Sequence, residues 1–380
     1  MQTLFLYLSA FKGMGGIEKF NRAFMKALHE EIVTLEGNAE VLSCYDDLAD
    51  PAYIPHSQFS GYGGNRSLFT LHALIKAEKA DLIILGHINL AIVGLLIKLL
   101  FPSKKVFLIA HGIEVWTIHS YIKKALITRV DKILAVSEFT ANKILEGNPY
   151  INEEKISVFY NTLDPFFLPP LDFVKPVYLK NRYGLSDKSK VILTVARLVN
   201  TEQYKGYDKV IQVMPQVLQA VPEAVYLLCG KYDSEEKARI GKLIHDNKLD
   251  GKVIMPGFIA NEELIDHYLL ADVFVMPSKK EGFGIVFIEA MACGAEVIAG
   301  NQDGSTEALL HGKLGRLIDP DNEFEIQLAL INSLYFNNTN KRSLQQEVLL
   351  HFGFAAYKRR LRQILKNKTI NKESISSMRN

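Results

Sequence analysis

Two glutamates lie eight positions apart in an otherwise apolar and glycine-rich stretch, KKEGFGIVFIEAMACG, at residues 279–294. Glu281 opens the stretch, and Glu289 lies inside the run VFIEAM. A carboxylate in a segment that reads as buried is costly unless a charge or a hydrogen bond compensates it. The pattern therefore predicts a partner for each carboxylate, either a cation or a hydrogen-bond donor.

The residues around the two glutamates predict the end of a strand, a turn and then a helix that stops at Gly294, a glycine typical of helix ends. Glu281 then lies in the turn. The backbone amides that follow it can donate to hydroxyl groups, and they belong to Gly282, Phe283, Gly284 and Ile285. Glu289 lies about one and a half turns inside the helix. Two adjacent ribose hydroxyls would satisfy its oxygens, and a salt bridge to a neighbouring cation is the structural alternative.

Two cations upstream have the types and spacing that suit a diphosphate. Arg197 ends an apolar strand, and Lys205 follows eight residues later, just before Gly206 and a predicted helix. A guanidinium forks onto two phosphate oxygens, and an ammonium adds a point charge. Two solvated surface cations are the alternative interpretation.

The segment KGMGGIE at 12–18 follows the first predicted strand and opens a helix. Amides at a helix N-terminus bind anions, and Gly15 and Gly16 would let a phosphate approach. Glu18 stands where the dinucleotide fingerprint requires Gly or Ala, and the Lys-Ser/Thr of a P-loop is missing. A plain tight turn remains the alternative.

His111 directly follows another apolar strand, in AHGIEVW. A neutral imidazole at that place could bond a sugar hydroxyl or help polarise a reacting oxygen, whereas a lone histidine is often structural. Glu114 either orients this ring or caps the next segment.

These residues can lie close together only if the strands they follow end at one edge of a sheet. Apolar strands that alternate with helices predict such a parallel sheet, covered on both faces. The predicted strands lie at 3–10, 39–45, 81–87, 105–112, 131–137 and 155–161, and again at 190–198, 224–230, 252–258, 271–278, 295–300 and 314–320. A proline-rich linker at 166–176 separates the two series. We predict two doubly wound α/β domains facing across a cleft that the carboxyl ends of the strands line.

Composition agrees with a globular protein, since 48% of the 380 residues are hydrophobic and 23% are charged. A net charge of +2 gives no global field for nucleic acid, so no nucleic-acid partner is expected. Three scattered cysteines predict reduced core thiols in a cytoplasmic protein. The start of the chain lacks a signal-peptide pattern, and the longest apolar stretch, 85–101, is interrupted by polar residues.

Two segments are basic enough to suggest an anionic membrane surface. Residues 98–143 carry eight cations against three acids, and residues 355–380 carry eight against one. The first segment also mixes aromatic and apolar residues with its lysines. Peripheral contact with the inner face of the plasma membrane is one interpretation, and a solvated helix face is the other.

Taken in their order along the chain, the motifs resemble those of the retaining nucleotide-sugar glycosyltransferases of family 4, which have the GT-B fold. The resemblance covers nearly the whole chain, through GMGGIEKF, AHGIEVW, AVSEFTANKI, ARLVNTEQYKGYDKVI, the stretch around the two glutamates and NQDGSTEALLHGKLGRLIDPDN. It implies a Rossmann-like acceptor-binding domain at 1–170, a donor-binding domain at 171–350 and a helix at 351–368 returning to the first domain. Residues 369–380 are expected to form a disordered basic tail.

The resemblance also implies a role for each candidate residue. Glu281, with the amides of residues 282–285, would hold the donor sugar, and Glu289 would hold the ribose. Arg197 and Lys205 would clamp the diphosphate and stabilise the leaving group. Gly15 and Gly16 would belong to a loop that closes on phosphate and acceptor. His111 would lie near the anomeric carbon, and Phe258 and Ile259 would form the base-binding loop.

The function implied is transfer of a hexosyl group from a UDP- or GDP-sugar to a glycan, lipid-linked or small-molecule acceptor, in polysaccharide or glycoconjugate synthesis. Retention would follow a front-face displacement. No cofactor and no metal are expected, and the one D-x-D, at 319–321, reads as a turn because of its central proline. A nucleotide-sugar epimerase of the same fold or a non-catalytic homologue is the alternative, while a phosphorylase would need a pyridoxal-binding lysine context that is not seen.

Overall fold

The computed structural model of the protein describes residues 1–13, 15–336 and 339–376, with side chains up to residue 366. The chain forms two compact units. Unit 1 comprises Met1–Phe166 and Phe352–Asn380, and unit 2 comprises Phe167–His351. The chain therefore leaves unit 1 inside the linker predicted at 166–176, four residues before the boundary expected at 170, and re-enters it at Phe352.

Unit 1 is built on a seven-stranded parallel sheet in the order β3-β2-β1-β4-β5-β6-β7. Its strands are β1 (Gln2–Tyr7), β2 (Asn38–Ser43), β3 (Phe59–Gly61), β4 (Leu82–Leu85), β5 (Lys105–Ala110), β6 (Lys132–Ala135) and β7 (Ile156–Val158). Its helices are α1 (Gly16–Thr34), α2 (Arg66–Lys79), α3 (Ala91–Leu100), α4 (Ile113–Trp116), α5 (Tyr121–Arg129) and α6 (Glu138–Gly147). The central strands are buried along nearly their whole length because helices cover both faces of the sheet.

Unit 2 repeats this plan with a six-stranded parallel sheet in the order β10-β9-β8-β11-β12-β13. Its strands are β8 (Lys190–Val195), β9 (Ala224–Cys229), β10 (Val253–Gly257), β11 (Val273–Met276), β12 (Glu296–Gly300) and β13 (Arg316–Ile318). Its helices are α7 (Val177–Arg182), α8 (Tyr207–Ala220), α9 (Ser234–Asp246), α10 (Asn261–Leu270), α11 (Ile285–Ala292), α12 (Ser305–Ala308), α13 (Glu323–Tyr335) and α14 (Lys341–Phe352).

The α/β fold with two parallel sheets confirms the predicted fold class. Every strand expected from the sequence is present, and the structure adds β3, three half-buried residues without an apolar run to reveal them. In both sheets the order reverses beside the first strand, between β1 and β4 and between β8 and β11. Loops diverge at such a switch point, and ligands bind there in open parallel sheets.

The last helix, α15 (Phe354–Ser376), packs on α1 of unit 1, as predicted. Tyr357, Leu361 and Leu365 are buried along one face of α15. On its rim, Lys358 Nζ lies 2.6 Å from Glu30 Oε2, and Arg362 Nε lies 2.6 Å from Glu31 Oε2. Apolar contacts along one face of α15 and two ion pairs on its rim thus hold this helix to unit 1. The tail expected at 369–380 lies outside the residues whose side chains are described.

The three cysteines, Cys44, Cys229 and Cys293, are free thiols buried in the two units. Burial raises the pKa of each thiol, so these sulfurs are held protonated at neutral pH. No helix in the described part of the chain combines the length and apolarity needed to cross a membrane.

Candidate active site

The switch point of unit 2 brings together three of the predicted site residues. Arg197 lies just beyond β8, and Glu281 lies in the turn beyond β11, the strand next to it in the sheet. A 3₁₀ segment, Asn200–Lys205, carries Lys205 back towards this turn. The Lys205 ammonium forms an ion pair with the Glu281 carboxylate, although 76 positions separate the two residues.

The Lys205–Glu281 pair is shielded, with 13% and 16% of the two side chains exposed. Burial lowers the pKa of Lys205 and the Glu281 carboxylate raises it, and the net direction is upward, so the ammonium stays charged. Gly206 next to it has φ 74°, and a Cβ there would stand 2.3 Å from the Pro277 carbonyl oxygen. Only glycine therefore allows the loops after β8 and β11 to approach this closely.

Glu202 completes the charged cluster, and its role was missed from the sequence. Its carboxylate pairs with the Arg197 guanidinium and lies 4.0 Å from Lys205 Nζ. Arg197 remains 67% exposed, whereas the Glu202 side chain is 10% exposed. The site thus alternates two cations with two carboxylates. A carboxylate between two proposed phosphate ligands was the signal that could have identified Glu202.

Asp303, in the loop after β12, holds the turn that carries Glu281. Its Oδ2 accepts hydrogen bonds from Ser278 Oγ and from the backbone N–H of Glu281, both at 2.8 Å. Its Oδ1 accepts from the backbone N–H of Ser305 at 2.9 Å. Burial raises the pKa of Asp303 to about 6. This residue was also missed, although a polar residue three positions after an apolar strand was a usable signal.

The turn after Glu281 shows why its residue types matter. Gly284 has φ 85°, and a Cβ there would stand 2.4 Å from the Phe287 ring. Phe283 and Ile285 are 1% and 6% exposed, so their side chains anchor the turn in the core. Contacts of these two residues with a ligand would therefore run through backbone N–H groups, as the sequence predicts.

Glu289 is 2% exposed on α11, and its Oε2 accepts a hydrogen bond from the Tyr268 hydroxyl at 2.9 Å. Burial and the Glu289 carboxylate both raise the pKa of Tyr268 far above its usual value, so the hydroxyl remains a donor. The partners of this buried carboxylate thus include a tyrosine. Its proposed contact with a ribose stays a prediction.

Phe258 and Ile259 follow β10, the outer strand of the sheet in unit 2. Phe258 is 51% exposed, whereas Ile259 is buried. Like Arg197, they lie at the edge of the sheet where the strands have their carboxyl ends. They follow β10, however, and β9 separates β10 from β8 in the sheet. Phe258 therefore offers a ring surface at this edge, whereas the buried side chain of Ile259 does not.

In unit 1, His111 follows β5 and is held in one tautomer. Its Nε2 lies 2.8 Å from the Gly86 carbonyl oxygen, which can only accept, so Nε2 carries a proton. Burial lowers the pKa of His111, which favours the neutral ring with an unprotonated Nδ1. The ring lies edge-on to Phe20, with centroids 4.9 Å apart.

Two neighbours of His111 refine its description. His87 stacks on it with ring centroids 6.0 Å apart, and burial lowers the pKa of His87 to about 4. Glu114 accepts from the backbone N–H groups of His111 and Gly112, at 2.7 and 3.2 Å. Of the two roles considered for Glu114, the structure thus shows capping of the backbone.

The glycine loop beyond β1 is organised by a buried carboxylate. Asp46 accepts backbone hydrogen bonds from Ala10, Phe11 and Lys12 at 2.8 to 3.1 Å. Gly15 is the N-cap of α1 and Gly16 its first residue. A Cβ on Gly15 would stand 2.6 Å from Glu18 Oε2, so the chain's own carboxylate lies against this loop.

The segment 319–321 is a turn, since Asp319 Oδ1 accepts from the backbone N–H of Asp321 at 2.9 Å. Within the described residues, no group of three or more histidines, cysteines or acids is arranged to hold a metal ion.

Two family profiles match the chain, one in each unit. "Glycosyltransferase Family 4" matches residues 14–166, and "Glycosyl transferases group 1" matches residues 179–347. A GDP-mannose-dependent alpha-(1-6)-phosphatidylinositol monomannoside mannosyltransferase of Mycobacterium tuberculosis is 30% identical over 57% of this chain. That match spans 57% of the relative's own length. A GDP-mannose-dependent monoacylated alpha-(1-6)-phosphatidylinositol monomannoside mannosyltransferase of Corynebacterium glutamicum is 27% identical, over 78% of this chain and 79% of the relative.

Among solved structures, HepE of Anabaena in complex with UDP superposes with a TM-score of 0.78 at 20% identity, covering 97% of this chain and 100% of HepE. A sucrose-phosphate synthase of Thermosynechococcus elongatus reaches 0.75 at 20% identity, covering 98% and 100%. At this identity the likeness establishes the fold. Together with the two profiles and the switch-point cluster, it defines a protein of the GT-B glycosyltransferase class. The chain belongs to family 4 of the nucleotide-sugar glycosyltransferases, the family that its motifs resemble.

Proposed function

We propose that this chain is a retaining hexosyltransferase that uses a nucleotide-diphosphate sugar and needs no metal. The observation that carries the proposal is the convergence of Arg197, Lys205 and Glu281 at the switch point of unit 2. Cations for a diphosphate and a carboxylate for sugar hydroxyls are thereby brought within one cluster.

The cluster suits the departure of a nucleoside diphosphate. Arg197, 67% exposed, can turn its fork of donors onto phosphate oxygens, while Lys205 adds a fixed charge. Negative charge that develops on the leaving group would be stabilised most strongly by such preplaced cations. Lys205 would then share its charge between the diphosphate and Glu281, and Glu281 would accept from hydroxyl groups of the sugar.

His111 of unit 1 contributes a neutral ring with Nδ1 as a hydrogen-bond acceptor. In the proposed reaction it binds a hydroxyl of the sugar near the anomeric carbon. The leaving phosphate, rather than a separate base, would take the proton of the acceptor as the new bond forms on the same face. That route gives retention of configuration.

The names of the relatives indicate which donors should be tested first. The Mycobacterium and Corynebacterium relatives are named as GDP-mannose-dependent, whereas the HepE neighbour was crystallised with UDP. We therefore propose GDP-mannose as the first donor to test and UDP-glucose as the second. A glycan or glycolipid acceptor follows from the same names.

A thermal-shift screen over GDP-mannose, UDP-glucose and ADP-glucose tests the donor proposal. A donor at 100 times its Kd should stabilise unit 2 by about 2.7 kcal/mol. Arg197→Ala and Glu281→Ala should reduce the shift, and Lys242→Ala, an exposed lysine of α9, should not. No shift with any nucleotide sugar would overturn the proposed function.

Three product measurements test the chemistry. Incubating the donor without acceptor should give slow hydrolysis, whereas conversion into another nucleotide sugar would indicate an epimerase. The anomeric configuration of the product, read by NMR, should match that of the donor. Turnover should survive EDTA, and loss of turnover that a divalent cation restores would contradict metal independence.

We also propose that unit 1 touches an anionic membrane through a face formed by α2, α3 and α5, which lie side by side. Large apolar side chains are exposed on this face, namely Leu68, Leu71, Ile75, Ile92, Leu99, Leu100, Tyr121 and Ile122. The charge is weaker than the sequence suggested, since Lys98 and Lys105 both pair with Asp131, at 2.8 and 3.0 Å. The exposed apolar surface, with Lys123 and Lys124 beside it, is the main support.

Co-sedimentation with vesicles tests the membrane proposal. Wild-type protein should bind vesicles that contain phosphatidylglycerol more strongly than pure phosphatidylcholine vesicles. The double variant Leu99→Glu/Leu100→Glu should lose most of this binding. Phe324→Glu, which changes an equally exposed apolar side chain on α13 of unit 2, should keep it. Equal loss in both variants, or no binding by wild type, would contradict the proposal.

A further inference from the structure

Asp303 is a charged residue that the fold buries at a cost. It is 1% exposed, and the donors that reach its carboxylate are neutral, namely the hydroxyls of Ser278 and Ser305 and two backbone N–H groups. Burial with neutral donors alone disfavours an ionised carboxylate, and the pKa of Asp303 is accordingly raised to about 6. A site that keeps an expensive charge is a candidate for function rather than for stability.

The carboxylate of Asp303 joins its own loop to the loop after β11 and also fixes the start of α12. One carboxylate oxygen holds Ser278 and the N–H of Glu281 in the loop after β11, and the other holds Ser305 at the start of α12. The N–H of Gly304 donates in return to the Glu281 carbonyl oxygen at 2.9 Å. Glu281 is therefore gripped through both its N–H and its C=O by residues 303 and 304.

The fit of the two loops leaves little room for another position of Glu281. A Cβ on Gly304 would stand 2.2 Å from the carbonyl oxygen of Gly282, and a Cβ on Gly300 would stand 2.1 Å from that of Ser278. Backbone meets backbone at both places, and a backbone cannot move aside as a flexible side chain can. The angle at which the Glu281 side chain leaves the turn is thus set by the loop after β12.

We propose that Asp303 is the positioning residue that holds Glu281 ready for the sugar of the donor, so that this site distinguishes the intact nucleotide sugar from the free nucleoside diphosphate. The inference rests on the proposed function. Asp303 bonds the backbone of Glu281, whereas the diphosphate is assigned to Arg197 and Lys205. Loss of the grip should therefore weaken recognition of the sugar and leave recognition of the diphosphate nearly unchanged.

The test compares the Kd of GDP-mannose with that of GDP, and of UDP-glucose with UDP, by titration calorimetry. In Asp303→Asn one oxygen becomes an N–H₂ group facing donors, so the sugar nucleotide should bind about tenfold more weakly, the equivalent of one charge-assisted hydrogen bond. The nucleoside diphosphate should change less than about twofold. If Asp303→Asn does not fold, Ser278→Ala removes one donor to Oδ2 and should shift the same ratio in the same direction, by less.

A pH series separates positioning from a general structural role. Glu281 and Tyr204 are the titratable groups that face Asp303 from the loops after β11 and β8. The phosphates of the sugar nucleotide keep their charge in this range, whereas the terminal phosphate of GDP or UDP gains a proton at about pH 6. The Kd of the sugar nucleotide is therefore the readout: in wild type it should rise as the pH drops below about 6, and in Asp303→Asn it should be flat there. Asp272→Asn is the matched control, because Asp272 accepts the Val191 N–H at 2.7 Å at the opposite edge of the same sheet. It should keep the wild-type preference and the wild-type pH dependence of this Kd.

The possible outcomes are distinct. If wild type binds neither nucleotide sugar, the proposed function fails and the role of Asp303 fails with it. If wild type binds and Asp303→Asn keeps the wild-type ratio, or weakens sugar nucleotide and diphosphate alike, only the inference about Asp303 is overturned. A selective loss for the sugar nucleotide supports it.

Discussion

Replacing Lys205 by methionine should strongly destabilise unit 2, because its partner Glu281 would be left as a shielded charge. Only 13% of the Lys205 side chain and 16% of the Glu281 side chain are exposed. Removing one member of such a pair costs about 3–5 kcal/mol, whereas removing both is often close to neutral. We expect a loss of about 3 kcal/mol for Lys205→Met and a recovery to within about 1 kcal/mol of wild type for Lys205→Met/Glu281→Gln.

The assay is urea unfolding followed by far-UV circular dichroism. Trp116, the only tryptophan of the chain, lies in unit 1, so its fluorescence would not report on unit 2. The control is Lys209→Met, which breaks a pair with Glu323 whose side chains are 33% and 51% exposed. An exposed pair of this kind contributes at most about 1 kcal/mol.

The sign of the pH dependence follows from the upward shift of the Lys205 pKa. Folding raises the pKa, so the stabilisation is complete below the ordinary value of 10.5 and is lost as the pH rises through the folded value. The double-mutant cycle of Lys205→Met and Glu281→Gln should therefore give the same coupling free energy between the two residues at pH 7 and pH 9. A coupling below about 0.5 kcal/mol between Lys205 and Glu281 would refute the reasoning, since it would equal that of an exposed pair.

Three further predictions concern the surrounding groups. Glu202→Gln should tighten the binding of GDP or UDP by up to about fivefold in calorimetry, because a carboxylate no longer competes for Arg197; weaker binding would show that Glu202 is needed to place the guanidinium. Tyr268→Phe should lower the free energy of unfolding by about 2 kcal/mol, since Glu289 loses a buried donor, and an unchanged urea midpoint would contradict this. The pKa of His87 falls from 6.5 to about 4, so stability should decline by up to about 3 kcal/mol as the pH drops across that window, and His87→Gln should flatten the decline.

Several parts of the site were predictable because they depend on local pattern. Apolar runs identified all the strands except the short β3, and the polar residues directly after them identified Arg197, Glu281 and His111 as residues at strand ends. The sequence predicts a turn at Gly284, and this residue has the positive φ that such a turn requires. Pattern suffices here because burial and backbone sterics act on neighbouring residues.

Other parts were not predictable because they depend on which loops meet. Asp303 and Glu281 lie 22 positions apart, and Lys205 and Glu281 lie 76 apart. Their contact requires that β11 stand beside β8 and that β12 stand beside β11. Periodicity shows that a strand exists, but it carries no information about its neighbour in the sheet.

The sequence by itself determined the two α/β units, the linker between them and the family, since each follows from apolar runs and from motifs in a fixed order. Only the tertiary structure decided the partners of the charges. It paired Glu281 with Lys205, Arg197 with Glu202, and Glu289 with Tyr268. A buried carboxylate must find a donor, and which donor lies within reach depends on the order of strands that places one loop against another.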